Sequence, residues 1–361
     1  MLLALLLLAL QTTPDELAKK IEESVRADGA WLDQAFDVDA LLARSLKDVP
    51  GDPNRKSGFA AGVRKSFTIG QQTSQAVKEG GGYTLIRVRT VDGKTRALFR
   101  MLIGENLNYH DYLLEPAPGG GVRIADLLPY TAGEWISESF RRGYTTTLAS
   151  DPAGKALKDN EYIKNLGKID RITDLREQGK PAEALKVWLT LPAALQKDKS
   201  LLIVRSLTAS QVGVKEALEA VEAMKKHHPG DPSLALHSLG PYTAAKRFDA
   251  ALEAVDALEK ATGGDAYLHI QRFYIHRAAG ANDKARAAAL KSIETEKTLA
   301  TAWWGIIGIT LEEKKHAETA SWLARFEKEL NMVMADLTKV PAYAEFVKSP
   351  EYAAWMKSRG K

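Results

Sequence analysis

Glu183-Ala184-Leu185, Glu216-Ala217-Leu218 and Ala250-Ala251-Leu252 are near-identical triplets that stand at almost equal distances along the chain. Ala285 and Ala317 continue the series, and the five alanines are 33, 34, 34 and 32 residues apart. A period close to 34 is the length of a helix–turn–helix repeat that stacks on its neighbours. The sequence therefore predicts an all-α C-terminal part, a solenoid of about five such repeats.

Alanine suits these positions because two helices that cross closely leave no volume for a larger side chain. Ala also has the highest helix propensity. Turn signals accompany the series, since Gly179 and Gly280 each stand five residues before one of the alanines and Pro229 ends the second repeat. Phe248 supplies an aromatic residue just before Ala251.

This pattern resembles the tetratricopeptide repeat, from near Lys168 to Leu330. The chain departs from the family pattern in the first helix of each repeat, where the small residue is present only as Gly305. The other repeats carry Ile172, Arg205, Leu239 and Phe273 there. The resemblance implies a scaffold that binds a protein or peptide partner, with the first helix of each repeat on the concave face.

The N-terminal part changes from helical periodicity to alternation after Gly80-Gly81-Gly82. About three helices are predicted first, over 14–26, 30–46 and 56–77, and a short helix over 133–142 follows the strands. The predicted strands are 83–91, 94–103, 107–115 and 121–130, with a hairpin turn at Asp92-Gly93. We expect an α+β module in which helices pack on a four-stranded antiparallel sheet. This order of elements resembles the NTF2-like (cystatin-like) fold, which implies a conical pocket.

Five segments follow from these patterns. They are a leader at 1–13, the α+β module at 14–146, a linker and first helix at 147–167, the repeats at 168–330 and capping helices at 331–361. A solenoid needs a terminal cap to cover its last apolar face, and we assign that role to the aromatic residues near the C-terminus. These are Tyr343, Phe346, Tyr352 and Trp355.

The first ten residues, Met1 to Leu10, are all apolar and too few to cross a bilayer core of roughly 30 Å. A secretory leader is the favoured interpretation, and it predicts export to the periplasm or the extracellular space. If this run is instead a helix turn packed on the module, the protein is cytoplasmic.

Composition excludes several classes of function. The 361 residues include no cysteine, so disulfides, thiolate metal sites and a cysteine nucleophile are absent. Net charge is only +4, and acidic and basic residues alternate, whereas nucleic-acid binding favours a clustered basic surface. No phosphate-binding, nucleophile-elbow or zinc-protease motif occurs, and the histidines lack metal-ligand spacing. We therefore predict a protein that is not an enzyme and has neither cofactor nor metal.

The third predicted strand carries the densest group of polar residues in the chain. Alternation places Asn108, His110 and Tyr112 on one face and Tyr109 and Asp111 on the other. On the fourth strand, alternation places Asp126 on an apolar face. That face comprises Val122, Ile124, Asp126, Leu128 and Tyr130.

Two interpretations of Asp126 stand. Desolvation raises the pKa of a carboxyl group among apolar neighbours, so Asp126 is a candidate general base, with His110 or Tyr130 assisting. Alternatively, Asp126 forms a structural ion pair with Arg100 of the second strand, since buried charges are usually paired.

Tyr267, Tyr274 and Arg277 recur on one side of the first helix of the fourth repeat. Tyr and Arg are common in interface hot spots, so these residues are candidates for partner binding. Tyrosines at helical spacing also occur as core between repeats.

Two hypotheses follow for the whole protein. In the first it is a non-catalytic scaffold that binds a protein or peptide through its repeats. In the second the N-terminal module binds a small molecule or is enzymatic, and the repeats act as adaptor.

Overall fold

A computed structural model of the protein describes residues 12–148 and 160–359. The apolar run on which the leader and export predictions rest lies outside the described residues. The N-terminal module contains helices α1 Pro14–Ala27, α2 Ala30–Ala35, α3 Val38–Leu46, α4 Pro53–Ser66, α5 Ile69–Lys78 and α6 Ile136–Thr147. Its strands are β1 Gly81–Val91, β2 Lys94–Ile103, β3 Asn106–Pro116 and β4 Val122–Pro129. The predicted fold class, an α+β module followed by helix–turn–helix repeats, is confirmed.

All the secondary-structure elements of the C-terminal part, within its described residues, are helices. Its helices are α7 Glu161–Lys164, α8 Leu166–Glu177, α9 Pro181–Trp188, α10 Lys199–Val212, α11 Val214–His227, α12 Pro232–Ala244, α13 Phe248–Thr262, α14 Ala266–Ala278, α15 Asn282–Thr295, α16 Ala300–Glu312, α17 His316–Leu330 and α18 Pro350–Ser358. Contacts divide the chain into two compact units, one up to Pro241 and one from Tyr242.

The second predicted helix, 30–46, is in fact two helices. The chain is extended at Phe36, which forms a bridge to Ile124 of β4, and the Asp37 N–H donates to the Ile124 carbonyl at 2.9 Å. The Asp37 carboxylate then caps α3 by accepting from the Ala40 N–H at 2.7 Å. The break is therefore made by a tertiary contact with the sheet.

The third predicted helix, 56–77, is also interrupted, between α4 and α5. Thr68 precedes α5 without capping it through its side chain. Asp33 of α2 takes that role, because its carboxylate accepts from the backbone N–H groups of Gly70 at 2.6 Å and Gln71 at 3.2 Å. Gly29 and Gly70 touch so closely that a Cβ on Gly70 would lie 2.3 Å from the Gly29 oxygen.

The sheet is antiparallel in the order β1-β2-β3-β4. The Asp92-Gly93 turn joins β1 to β2 with positive φ at both residues, 50° and 72°, as a two-residue hairpin turn requires. The pairing of β3 with β4 shifts by one residue, since Leu113 lies opposite Asp126 but Leu114 lies opposite Ile124. After this β-bulge, each side chain of β4 points to the face opposite to the one that strict alternation from Val122 would give it.

Helices α1, α2, α3 and α5 contact the sheet or one another around a single core. Core members include Leu17, Ile21, Val25, Leu41, Tyr83, Phe99, Tyr112, Ile124 and Leu127. The sheet side chains that alternate with these, such as Tyr109 and Asp111, are also buried. The polar face of β3 is therefore buried as well.

Within each unit, consecutive repeat helices pack on one another, as α8–α9–α10–α11 do in the first and α13 through α17 do in the second. Ala184, Ala217, Ala251 and Ala285 are buried, and each is the fourth residue of its helix. Ala317 is exposed, so its assignment to this series is wrong. The fourth residue of α17 is Thr319, which is buried and lies 34 residues after Ala285.

Gly305 of α16 makes possible a close helix contact in the second unit. A Cβ at this position would lie 2.7 Å from the ring of Phe273 in α14. At the C-terminus, Tyr343, Phe346 and Trp355 are buried, and the Phe346 ring contacts the rings of Tyr343, Tyr352 and Trp355. The packing agrees with the capping role predicted for these aromatic residues.

Candidate functional site

Asp126 lies at the N-terminal end of α6. Its carboxylate accepts from the Ser137 hydroxyl at 2.5 Å, the Ser137 N–H at 3.2 Å and the Leu127 N–H at 2.9 Å. Burial raises the pKa of Asp126, while these hydrogen bonds oppose the rise. Strand β2, which carries Arg100, is not adjacent to β4, and the predicted Asp126–Arg100 pair is wrong. The carboxylate favours the positive end of a helix.

An ion pair inside the sheet does exist, but at Asp111. This fully buried carboxylate lies 2.8 Å from an Arg89 nitrogen and 3.3 Å from an Arg96 nitrogen. The Arg96 guanidinium also stacks over Trp135, 5.0 Å from the ring centroid. Burial raises the pKa of Asp111, and the two arginines oppose the rise. Sequence alternation had placed Asp111 on this face without identifying its partners.

His110 is the other predicted catalytic candidate. It shares a face of β3 with Tyr112, as alternation predicted, and that face lies toward the helices. Its Nδ1 is 3.2 Å from the Tyr83 hydroxyl, which is 3.1 Å from the Tyr112 hydroxyl. Burial lowers the pKa of His110 from 6.5 to about 4, so the imidazole is neutral at pH 7. Burial also raises the pKa of both Tyr83 and Tyr112, so both remain protonated phenols.

A cleft of about 340 Å³ opens beside His110, between α5 and one end of the sheet. It is lined by Gln72, Thr73, Met101, Ile103, Asn106, Leu107, Asn108, His110, Pro129 and Thr131. Neither Asp126 nor Tyr130 is among the lining residues, so the proposed assistance between His110 and these two is not supported by a shared cavity. The role of Asp126 or His110 as a catalytic residue stays a prediction.

The three partner-binding candidates of α14 are placed differently from one another. Tyr267 is buried and so cannot contact a partner while α14 stays packed. Tyr274 is half-buried. Arg277 binds both carboxylate oxygens of Glu312 in α16, at 2.6 and 2.7 Å, and the Asn282 side chain at 2.5 Å. Arg277 thus links the fourth repeat to the fifth, and a partner would compete with Glu312 for it.

A surface that the sequence analysis did not identify lies on α16 and α17. Trp304 is 40% exposed and packs against the Phe326 ring, with 4.6 Å between centroids. On the same helix as Phe326, the Arg325 guanidinium stacks 4.1 Å over the Trp322 ring. We name the residues Trp304, Trp322 and Arg325, which are joined by their ring contacts with Trp303 and Phe326, the fifth-repeat surface.

Met332 and Val333 follow the end of α17 and are 51% and 77% exposed. Within residues 12–148 and 160–359, Arg325 makes no ion pair, so its guanidinium edge is available to a partner. The adjacent Trp303-Trp304 pair was the available sequence signal. The repeat period predicts which positions are buried. It carries no information on whether a tryptophan next to them is exposed.

The described residues hold no group of three or more His, Asp or Glu side chains arranged to bind a metal ion. Among the same residues, no helix combines the length and the apolar character that crossing a membrane demands.

No protein-family model matches the chain, and no curated protein matches it. Among solved structures, MamA (residues 41 to the end) of Desulfovibrio magneticus RS-1 is similar at 15% identity and a TM-score of 0.40, over 46% of this chain and 95% of that chain. A thermophilic tetratricopeptide-repeat protein of Thermus thermophilus is 17% identical, with a TM-score of 0.32, over 51% of this chain and 97% of that chain. A tetratricopeptide-repeat protein of Parabacteroides merdae ATCC 43184 is 14% identical, with a TM-score of 0.40, over 62% of this chain and 82% of that chain. With TM-scores below 0.5, the family resemblance rests on the sequence pattern and the repeated helix pairs rather than on these matches.

Proposed function

We propose that the protein is a non-catalytic scaffold that binds a protein or peptide partner through its helical repeats. The observation that carries this proposal is the fifth-repeat surface, where Trp304 is 40% exposed against the Phe326 ring and the neighbouring Arg325 has no ion-pair partner in the described chain. Met332 and Val333, just after the end of α17, add exposed apolar side chains to the same repeat, and exposed apolar area is characteristic of interaction sites where it is contiguous. Trp and Arg are also the residues most enriched in interface hot spots.

The chemistry of this surface indicates the chemistry of its partner. Trp304 offers apolar area that a leucine or aromatic side chain would cover. The Arg325 guanidinium, held in place over Trp322, presents its N–H groups to a carboxylate. The expected partner segment therefore has an apolar anchor next to an acidic residue.

The test is capture of partners by the full-length protein and by a Trp304→Ala/Arg325→Glu variant. We expect the variant to lose a partner by a factor of about ten or more, because a hot-spot residue contributes upwards of ~2 kcal/mol. Titration calorimetry with the purified partner measures that factor.

Trp31→Ala is the matched control, since Trp31 lies in the N-terminal module and is 38% exposed, nearly as much as Trp304. Loss of the same partner with the control, or equal capture by both variants and the parent, contradicts the proposal. The similarity of the module to NTF2-like domains remains a prediction, and so does the interface role of Tyr274 and Arg277.

A further inference from the structure

We propose that the cleft beside His110 binds a small, neutral, mostly apolar molecule that carries one hydroxyl or carbonyl group. This site is separate from the proposed partner surface. Its evidence is the shape of the cleft, the side chains that line it and the hydrogen bonds of His110.

The cleft exists because the strands of the sheet differ in length. The last pair between β3 and β4 is His110 with Pro129, but β3 continues to Asn106, paired with Ile103 of β2. The end of the β2–β3 ribbon therefore extends beyond β4. Helix α5 supplies the opposite wall through Gln72 and Thr73.

None of the ten side chains that line the cleft carries a formal charge at pH 7. Met101, Leu107 and Pro129 make part of the wall apolar. A charged ligand would lose part of its hydration there without meeting an opposite charge among the lining side chains, and this cost favours a neutral ligand. The volume of about 340 Å³ is at the small end of the range for ligand pockets.

His110 is the polar group positioned to hold a ligand there. The residue is only 6% exposed, and its Nδ1 is engaged by Tyr83. Its Nε2 has no hydrogen-bond partner in the part of the chain that the structure describes. Several other polar groups of the lining are engaged, since Thr73 donates to the Ile69 carbonyl, Asn106 donates to the Ile103 carbonyl and the Asn108 amide oxygen accepts from the Thr131 N–H.

The tyrosine pair allows His110 Nε2 either to accept a hydrogen bond from a ligand hydroxyl or to donate one to a ligand carbonyl. When the Tyr83 hydroxyl donates to Tyr112, the imidazole Nδ1–H donates to Tyr83 and Nε2 is a hydrogen-bond acceptor. When both hydroxyls reverse, Tyr83 donates to Nδ1 and Nε2–H becomes a donor. A ligand hydroxyl would meet the first arrangement and a carbonyl the second.

Phenol, fluorobenzene and benzoate form a matched set of probes for the full-length protein. They share one ring, but only phenol combines neutrality with a hydroxyl group. Binding is followed by the ring ¹⁵N resonances of histidine-labelled protein, with His110 assigned by its absence in His110→Phe. We expect phenol to shift the Nε2 resonance with a dissociation constant of about 1 mM, reasonable for a ligand of seven heavy atoms.

We expect fluorobenzene to bind at least about tenfold more weakly than phenol, since it cannot donate a hydrogen bond to Nε2. Benzoate should leave the His110 signal unchanged. Ile103 lies at the rim of the cleft and is 42% exposed, so Ile103→Trp should block the cleft and weaken phenol binding by a similar factor. Thr90→Trp, at an exposed position at the other end of β1, is the control and should bind phenol as the parent does.

Four results would overturn the proposal. The first is an unchanged Nε2 signal at a phenol concentration ten times the expected dissociation constant. The second and third are equal binding of fluorobenzene and phenol, and tighter binding of benzoate than of phenol. The fourth is phenol binding by Ile103→Trp as tight as that of the parent.

Discussion

His110 links the stability of the N-terminal module to pH, because its neutral form is the one that is buried. Its pKa is about 4 in the folded protein and near 6.5 when the chain is unfolded. Between these values the unfolded chain binds a proton that the folded chain does not, so the free energy of unfolding falls as pH falls from 6.5 to 4. The contribution is fully present above pH 6.5 and amounts to roughly 3 kcal/mol, at 1.36 kcal/mol per pKa unit.

Urea unfolding at pH 7 and pH 4.5 measures this loss, and His110→Phe is the comparison. Asp111 and Asp126 have raised pKa values in the folded state and so act in the opposite direction, but they are common to both proteins. The parent should therefore lose more stability on acidification than His110→Phe does. Equal losses would show that His110 is protonated as easily in the folded state as in the unfolded one.

The sequence predicted the faces of β3 correctly and that of Asp126 incorrectly, and one local feature explains the difference. Alternation is unbroken between Asn108 and Tyr112, so a period of two assigns each side chain. In β4 the bulge between Ile124 and Asp126 reverses the alternation, and Leu127 rather than Asp126 joins the core. No residue type in this stretch marks the bulge, since it carries neither Gly nor Pro.

At the scale of elements, the second helix of each repeat places its fourth residue against the neighbouring helices. Thr319 occupies this position in α17, and its hydroxyl donates to the Thr310 hydroxyl of α16 at 2.9 Å. We expect Thr319→Leu to overpack the contact and to cost about 1–3 kcal/mol of stability, as should Ala251→Leu at the equivalent position of α13.

Ala317→Leu provides a control on the same helix, because Ala317 is exposed. A surface substitution of this kind usually changes stability by less than about 0.5 kcal/mol. Thermal unfolding of the three variants is the measurement. A loss with Ala317→Leu equal to that with Thr319→Leu would restore the register inferred from alanines alone.

Helix positions were predictable where the signals are local and not where they are tertiary. The start of α1 is such a local signal, because Thr13 caps it and Glu16, three residues later, completes a capping box. The break between α2 and α3 depends on Ile124, which is 87 residues away from Asp37 in sequence. Helical periodicity continues across Phe36 and so could not reveal it.

At the scale of the molecule, the α+β module and the first repeats share one compact unit. The His237 ring Nε2 of α12 lies 3.0 Å from the Thr131 carbonyl, and Arg142 of α6 lies 3.6 Å from Asp198, the residue that caps α10. A 34-residue period gives the length and pairing of repeat helices. It carries no information on which repeat the module contacts, so these contacts had no counterpart in the sequence analysis.

Gly133 lies within this contact, against Ile203 of α10, and it provides a test. A Cβ there would lie 2.2 Å from the Ile203 Cδ1 of α10, and the residue has a φ of +69°. Gly179, in the turn between α8 and α9, has the same φ of +69° but nothing within 4 Å of its Cβ position. Gly179→Ala therefore carries only the backbone strain of a left-handed conformation, about 1–2 kcal/mol, while Gly133→Ala adds a steric clash with α10.

If the module and the first repeats unfold as one cooperative unit, Gly133→Ala should raise amide hydrogen exchange in both β3 and α10. Gly179→Ala should not change the ratio of the β3 exchange rate to the α10 exchange rate. The two variants are compared at urea concentrations that give them equal overall stability. Mass spectrometry of peptides from these two elements measures both rates. Faster exchange in α10 alone, with β3 unaffected by Gly133→Ala, would mean that the module retains its stability without the repeats, and the contact through Gly133 would then be a docking of two independent folds.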